Sequence, residues 1–193
     1  MKRLNHAIPC RRIITTTLLC LWFFTSESAA GAEQIFLDVP FTSQAPFENW
    51  EEPWQNFCEE ASIVMTAHYL WSIPLTPFFA DLEMQIIKQY EDIVLHRSKD
   101  TSIDEVAIVL RDLYGLKDIE TRKIYSPEDV KRKLDKGLIV IAPVAGRMFF
   151  NPHFIPPGPS YHMLVIRGYD DTRNVFITNE PGTRFGNGYE YPI

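Results

Sequence analysis

The residue of this chain that is best suited to covalent chemistry is Cys58, which begins a helical pattern. Glu59 and Glu60 follow it, where acidic residues favour a first helical turn, and apolar residues then recur at helical spacing as far as Leu70. A cysteine at a helix N-terminus lies near unpaired N–H groups and the positive end of the helix dipole, which stabilise a thiolate. Cys58 is therefore a candidate nucleophile, and its two acidic neighbours make a cationic partner necessary.

A nucleophilic cysteine needs a base, and His162 is the best placed of the candidate histidines. His68 lies within a helix among apolar residues, His96 in a polar stretch and His153 in a proline-rich loop. His162 instead begins a strand directly after that loop, at an edge where loops line clefts. We therefore expect His162 to be the general base for Cys58.

A third side chain should hold the imidazole of His162 in place, and two adjacent residues could do so. Asn179 and Glu180 end the strand that returns after a turn at residues 170–173. Side chains alternate along a strand, and matching the apolar faces of the two strands places Asn179 beside His162. A register slip of one residue substitutes Glu180, so both candidates stay open.

Helices in the first part of the chain and strands in the second are expected to position these residues. Helical segments begin at residues 58, 77, 102 and 126, with Ser102 and Ser126 expected as caps. Strands cover 34–39, 138–144, 162–169 and 174–178. The last two strands should form an antiparallel hairpin. This order of elements indicates an α+β domain.

The first 32 residues have the pattern of a secretory signal peptide. Basic residues precede an apolar run at 13–24, and small residues gather at 28–32, ahead of an expected cleavage site before Glu33. The apolar run is too short to span a bilayer, which needs about 20 residues. We expect a protein that is secreted or kept in the periplasm or cell envelope, with no stable membrane association after cleavage and with residues 33–193 as its mature domain.

The composition of this mature segment narrows the classes of function. It holds 15 basic and 24 acidic residues, a net charge of −9, which argues against nucleic-acid binding. Cys10 and Cys20 belong to the signal, so Cys58 has no partner for a disulfide within its chain. The sequence contains no cysteine pair and no HExxH motif that would indicate a metal site, so we expect no metal or cofactor.

The order of these features resembles that of the papain-like cysteine peptidases, in which a helix-opening cysteine is followed late in the chain by a strand-borne histidine. The segments DVPFTSQAPF, CEEAS, HMLVIRGYDD and FITNEPGTRFG are most similar to the peptidase family thirty-nine-like domains. Those are relatives of the domains that cleave bacteriocin leader peptides after a double glycine. The resemblance covers residues 38–187 and implies a papain-like fold, with the nucleophile's helix packed on an antiparallel sheet.

The resemblance also implies roles for individual residues. Cys58 would be the nucleophile and His162 the general base and acid, while Gln44 would help the backbone N–H of Cys58 to bind the oxyanion. Gln55, three residues before Cys58, is a second candidate for the oxyanion site. The expected function is hydrolysis of a peptide or other amide through a thioester intermediate.

The third position departs from the family pattern, and two other functions stay open. Relatives usually carry Asp directly before a proline, whereas this chain has Glu180 before Pro181, with Asn179 beside it. One alternative is a catalytically silent envelope-binding module of the same fold, for which this departure and the end of the chain soon after its last motif are the only support. The other alternative is an amidase or acyltransferase that acts on cell-wall or other amides with the same residues.

Overall fold

Four α-helices and five β-strands form the part of the chain that the structure, a computed structural model, describes: residues 33–97 and 99–193. The helices are α1 (Cys58–Trp71), α2 (Pro77–Tyr90), α3 (Ile103–Asp112) and α4 (Pro127–Leu134). The strands are β1 (Gln34–Phe36), β2 (Val140–Val144), β3 (His162–Asp170), β4 (Val175–Asn179) and β5 (Asn187–Pro192). The predicted α+β class is confirmed.

Polar residues at the helix starts act as the sequence predicts. Thr76 accepts a hydrogen bond from the backbone at the start of α2. Ser102 and Glu105 exchange hydrogen bonds as a capping box at the start of α3, and the Asp129 carboxylate accepts from the Ser126 N–H at the start of α4. These groups satisfy N–H donors that have no partner within the helix. Several boundaries differ from the prediction: β1 ends at Phe36 and not at residue 39, and β2 begins at Val140 and not at residue 138. A π-helical turn at Glu91–Leu95 continues α2.

β3 is the central strand of an antiparallel sheet. β4 pairs along one edge of β3, and β5 pairs with β4. β2 pairs with the first half of β3 and β1 with its end, so these two strands share the other edge. The hairpin of β3 and β4 is confirmed, whereas β5 was not predicted. His162 is the first residue of this central strand.

Helix α1 is buried along most of its length and lies against β3. Ile63 packs with Met84 of α2 and Val109 of α3 in one apolar cluster. Met65 packs against Val165 of β3 in another. Full burial of such a side chain stabilises the fold by roughly 1.5–3 kcal/mol. The helix that begins with Cys58 is therefore held firmly against the strand that begins with His162.

The predicted signal peptide at residues 1–32 lies outside the described residues, so it stays a prediction. All the described elements belong to one compact unit. No helix within the described ranges has both the length and the hydropathy that crossing a bilayer requires.

Candidate active site

Cys58 is the first residue of α1 and lies at the floor of a cavity. A short 3₁₀ turn at Trp54–Asn56 leads into it, and the side chain of Phe57 is fully buried in the core and anchors this approach. Met163, the residue after His162, packs in the same apolar cluster as Cys58. The nucleophile candidate therefore lies against the beginning of β3, as the sequence predicts.

The cavity has a volume of about 650 Å³ and brings together residues that are distant in sequence. Its lining includes Cys58 from α1, His162 from β3, and both glutamines that were oxyanion candidates, Gln44 and Gln55. Pockets of this size are typical of small-ligand and active sites. Four of the predicted site residues therefore share one cavity.

His162 and Glu180 form a buried pair at one side of this cavity. Nε2 of His162 lies 2.5 Å from Oε1 of Glu180, and the Glu180 side chain is fully buried. The same carboxylate accepts a hydrogen bond from Gly182 N at 2.7 Å and another from the Tyr191 hydroxyl at 2.9 Å. With a carboxylate as its partner, Nε2 carries the proton, which leaves Nδ1 as the nitrogen that can accept one.

Asn179, the other candidate for this role, lies elsewhere. Asp170 pairs with Val175 across the hairpin, and counting back from that pair brings Asn179 opposite Val165. The predicted position beside His162 is therefore wrong, because the turn and a β-bulge set the register, not the match of apolar faces. The side-chain amide of Asn179 donates to the carbonyls of residues 39 and 40, at 3.2 and 3.0 Å.

Gln44 is buried, and its backbone and side chain bind two different parts of the site. Its backbone N donates to the carbonyl of Pro181 at 2.9 Å, one residue after Glu180. Its Nε2 donates to the carbonyl of Trp54 at 3.0 Å, in the turn that precedes Cys58. A carboxamide nitrogen has two N–H groups, so a second donor is left for another acceptor. This side chain can therefore supply a hydrogen bond within the cavity.

The thiol of Cys58 is hydrogen-bonded to a carboxylate. Its Sγ donates to Oε2 of Glu59 at 2.9 Å, and within residues 33–97 and 99–193 no hydrogen bond joins it to His162. Burial raises the pKa of the Cys58 thiol, and the negative charges of Glu59 and Glu60 raise it further. Burial and the two neighbouring carboxylates therefore oppose the stabilising effect of the helix N-terminus on a Cys58 thiolate, which is why a cationic partner is needed.

Two further residues of the site were missed by the sequence reasoning. Tyr191 lies on β5, whose alternating tyrosines were a readable strand signal. Gly182 follows Pro181 directly after Glu180, and this Pro-Gly sequence is typical of a turn. Gly182 packs against His162 and Glu180. A Cβ built on Gly182 would lie 3.1 Å from Cε1 of His162 and 2.8 Å from the ring of Phe154. Only a glycine fits this contact without displacement.

Part of the cavity wall is aromatic or apolar, and an ion pair also lines it. The apolar lining residues include Trp50, Phe154, Ile155 and Phe185. Arg184 and Glu48, which also line the cavity, form an exposed ion pair at 3.3 Å that joins the segment before α1 to the loop after β4.

No group of three or more His, Cys, Asp or Glu side chains in the described part of the chain could hold a metal ion.

Comparison with known families gives one match, in which residues 36–193 fit the model of the Peptidase_C39 like family. No curated protein and no solved structure matches the chain. The family resemblance that the sequence predicts is confirmed over most of the chain.

Proposed function

Because the chain belongs to the peptidase C39-like family, we propose that it is an exported cysteine peptidase that hydrolyses a peptide or other amide bond. The observation that carries the proposal is the buried contact of 2.5 Å between His162 Nε2 and Glu180 Oε1, at the side of the cavity that Cys58 lines. A carboxylate that fixes an imidazole beside a cysteine is the arrangement that nucleophilic catalysis requires.

The proposed reaction begins when the Cys58 sulfur gives its proton to Nδ1 of His162. The thiolate attacks the carbonyl carbon of the substrate, and Glu180 stabilises the imidazolium that forms. The negative charge on the carbonyl oxygen is bound by the backbone N–H of Cys58, which is unpaired as the first residue of α1, and by Gln44. His162 then protonates the leaving amine as the C–N bond breaks, which leaves a thioester on Cys58.

Water completes the cycle. His162 Nδ1 takes a proton from a water molecule, whose oxygen attacks the thioester carbonyl. The C–S bond breaks, the carboxylic acid leaves, and the proton returns from His162 to the sulfur. Each step needs only water, the residues that line the cavity and the buried Glu180 behind His162, so the proposed chemistry requires no cofactor.

The location of the enzyme and the class of its substrate are proposed from the first 32 residues, the net charge and the residues that line the cavity. The segment 1–32 would direct export, so the enzyme would act in the periplasm, the cell envelope or outside the cell. The net charge of −9 on residues 33–193 disfavours nucleic acid. The apolar walls at Trp50, Phe154 and Phe185 support a peptide substrate with apolar side chains near the cleaved bond.

A catalytically silent binding module of the same fold is a second candidate. The observation that favours it is the contact of the Cys58 thiol, which donates to Glu59; burial, and then the charge of Glu59, raise the pKa of this thiol. Such a module would keep the cavity and its apolar walls but would never form a thioester.

Hydrolysis and thiol labelling together test the proposed function. The protein, purified after export by a bacterial host, is offered a panel of fluorogenic peptides and peptidoglycan fragments, and an electrophilic cysteine probe is applied in parallel. Hydrolysis by the wild type that is lost in Cys58→Ala supports the enzyme, and the panel separates a peptidase from a cell-wall amidase. Absence of hydrolysis for every member of the panel, with Cys58 slow to react with the probe at neutral pH, favours the binding module.

A further inference from the structure

Glu59 makes the closest polar contact of the nucleophile, yet the proposed reaction does not use it. Its Oε2 accepts the Sγ–H of Cys58 at 2.9 Å, and its side chain is 1% exposed. A buried carboxylate needs several hydrogen bonds to offset its lost hydration. Glu59 therefore holds a costly position next to the sulfur, where it opposes thiolate formation.

The other oxygen of Glu59 is anchored to a loop that reaches the cavity wall. Oε1 accepts a hydrogen bond from Thr101 N at 3.0 Å. The carbonyl of Thr101 in turn accepts from the hydroxyl of Tyr161 at 2.6 Å, and Tyr161 directly precedes His162. Tyr161 and the loop residue Asp100 both line the cavity. A chain of hydrogen bonds thus runs from the thiol to a surface that a substrate would touch.

The groups that face this thiol are mostly acidic. Glu59, Glu60 and Tyr161 interact with the thiol itself. Asp100 and Glu91 act on these two glutamates, and His162 begins the neighbouring strand β3. Of these, His162 alone can become a cation, and its Nε2 is directed at Glu180. The thiol therefore donates a hydrogen bond to Glu59, and the negative charges of the neighbouring carboxylates disfavour the thiolate.

We propose that Glu59 is a positioning residue for the nucleophile, which holds the Cys58 Sγ–H away from His162 as a neutral thiol in the resting protein. The thiol is released when a substrate that presses on Tyr161 loosens the Thr101 anchor, after which Sγ rotates and gives its proton to His162 Nδ1. This inference rests on the proposed function, because such a hold matters for catalysis only if Cys58 is the nucleophile.

This arrangement has a chemical advantage for a lone exported cysteine. The thiolate, not the thiol, is the species that reacts with oxidants and disulfides. A thiol that is kept protonated until a substrate enters the cavity is protected from oxidation outside the cytoplasm. The resting site is then slow towards small electrophiles, while a bound substrate finds an active nucleophile.

Glu59→Gln tests this hold with little change of shape. The Gln carbonyl oxygen can still accept from Thr101 N, while its amide N–H faces the sulfur where a carboxylate oxygen stood. We expect the pH at which alkylation by iodoacetamide is half-maximal to fall by roughly one to three units, as when a like charge is removed from close range. At neutral pH, alkylation should be about tenfold faster or more, since one unit changes the thiolate fraction about tenfold.

Glu60→Gln is the matched control. Glu60 is equally buried on the same helical turn, but its carboxylate does not accept from the thiol. We expect a clearly smaller shift of the alkylation profile for Glu60→Gln. Equal shifts in the two variants would overturn the proposal, because any nearby negative charge, and not the contact of Glu59 with the thiol, would then explain the shift. An unchanged or higher midpoint in Glu59→Gln would overturn it as well.

Tyr161→Phe tests the same chain of bonds from the cavity side, even if Glu59→Gln does not fold. Removing the hydroxyl breaks the bond to the Thr101 carbonyl, so alkylation of Cys58 should become about two- to tenfold faster, as expected for loss of one hydrogen bond. A rate no higher than that of the wild type contradicts the proposal. Alkylation needs no substrate, so this test is independent of the proposed enzyme activity. If the variants alter alkylation as expected but no protein hydrolyses any substrate, the role of Glu59 is supported and the proposed hydrolase is rejected.

Discussion

Oε1 of Glu180 lies 2.5 Å from Nε2 of His162, and the same carboxylate group is bound by Gly182 and Tyr191. Three donors therefore fix one buried carboxylate in a single orientation. Tyr191 lies on β5, so this edge strand helps to fix the carboxylate that in turn holds the imidazole of His162.

Glu180→Gln should abolish most of the activity while keeping the fold. The amide can replace the shape of the carboxylate but not its charge, so it stabilises an imidazolium poorly and can orient the wrong tautomer of His162. We expect kcat/KM for amide hydrolysis to fall about 10²- to 10⁴-fold, the range seen when a catalytic base or its orienting group is impaired. Steady-state kinetics with the best peptide of the panel measures this.

Asn179→Ala is the control for that variant, because it removes the adjacent buried side chain that the sequence leaves as the other candidate. Its amide donates to the carbonyls of Val39 and Pro40, so its loss should lower the free energy of unfolding by about 1–3 kcal/mol. Activity should fall much less than in Glu180→Gln. The reverse ranking of the two variants would assign the orienting role to Asn179.

The sequence predicts the elements of this site better than their register. Residues that act locally could be read correctly, such as the cap Ser102 and the helix-opening Cys58. The position of Asn179 could not, because it depends on a turn and a bulge that shift the pairing of two strands with similar apolar faces. The contact between Glu59 and the thiol was equally hidden, since acidic residues in a first helical turn usually face solvent.

Gly182→Ala should disturb the catalytic pair through packing alone. The added methyl would lie 3.0 Å from Oε1 of Glu180 and 3.1 Å from Cε1 of His162, with the Phe154 ring closer still. We expect a destabilisation of about 1–3 kcal/mol, as for other overpacked sites, together with a loss of kcat/KM of about tenfold or more. Denaturant unfolding and peptide kinetics measure the two effects separately.

Gly115→Ala is the matched substitution for this prediction. Its Cβ would meet no atom within 4 Å, although its φ of +65° makes a side chain strained there. It should therefore cost about 1 kcal/mol of stability without lowering kcat/KM. If both variants lose activity in proportion to their stability, the packing of Gly182 against His162 has no specific role.

The stability of the protein should fall as the pH rises towards and above neutrality. Burial raises the pKa of Glu91 to about 7, and burial also raises the pKa of its neighbour Glu60. Each group binds its proton more tightly in the folded chain than in the unfolded one. The stabilisation is therefore fully present below about pH 4.5, the ordinary range of a glutamate, and is lost as the pH rises through about 7.

Denaturant unfolding at about pH 5 and about pH 8 measures this dependence. We expect the free energy of unfolding to be lower at the higher pH and the difference to shrink in Glu91→Gln, whose side chain does not titrate. Glu190→Gln, an exposed change on β5, should leave the difference as it is in the wild type. The same difference in all three proteins would mean that the buried carboxyl groups do not control the effect.

Gln44→Ala should lower the rate of the chemical step more than it weakens substrate binding. Its side chain donates to the Trp54 carbonyl at the cavity while its backbone N binds the Pro181 carbonyl, and its second side-chain N–H can reach the charge that develops on the substrate oxygen. An oxyanion donor acts chiefly in the transition state, so kcat should fall about 10²- to 10³-fold with KM changed little. Gln55→Ala is the comparison, since Gln55 lines the same cavity and was the other candidate. If Gln55→Ala lowers kcat more than Gln44→Ala does, the oxyanion lies on the side of the cavity that Gln55 lines.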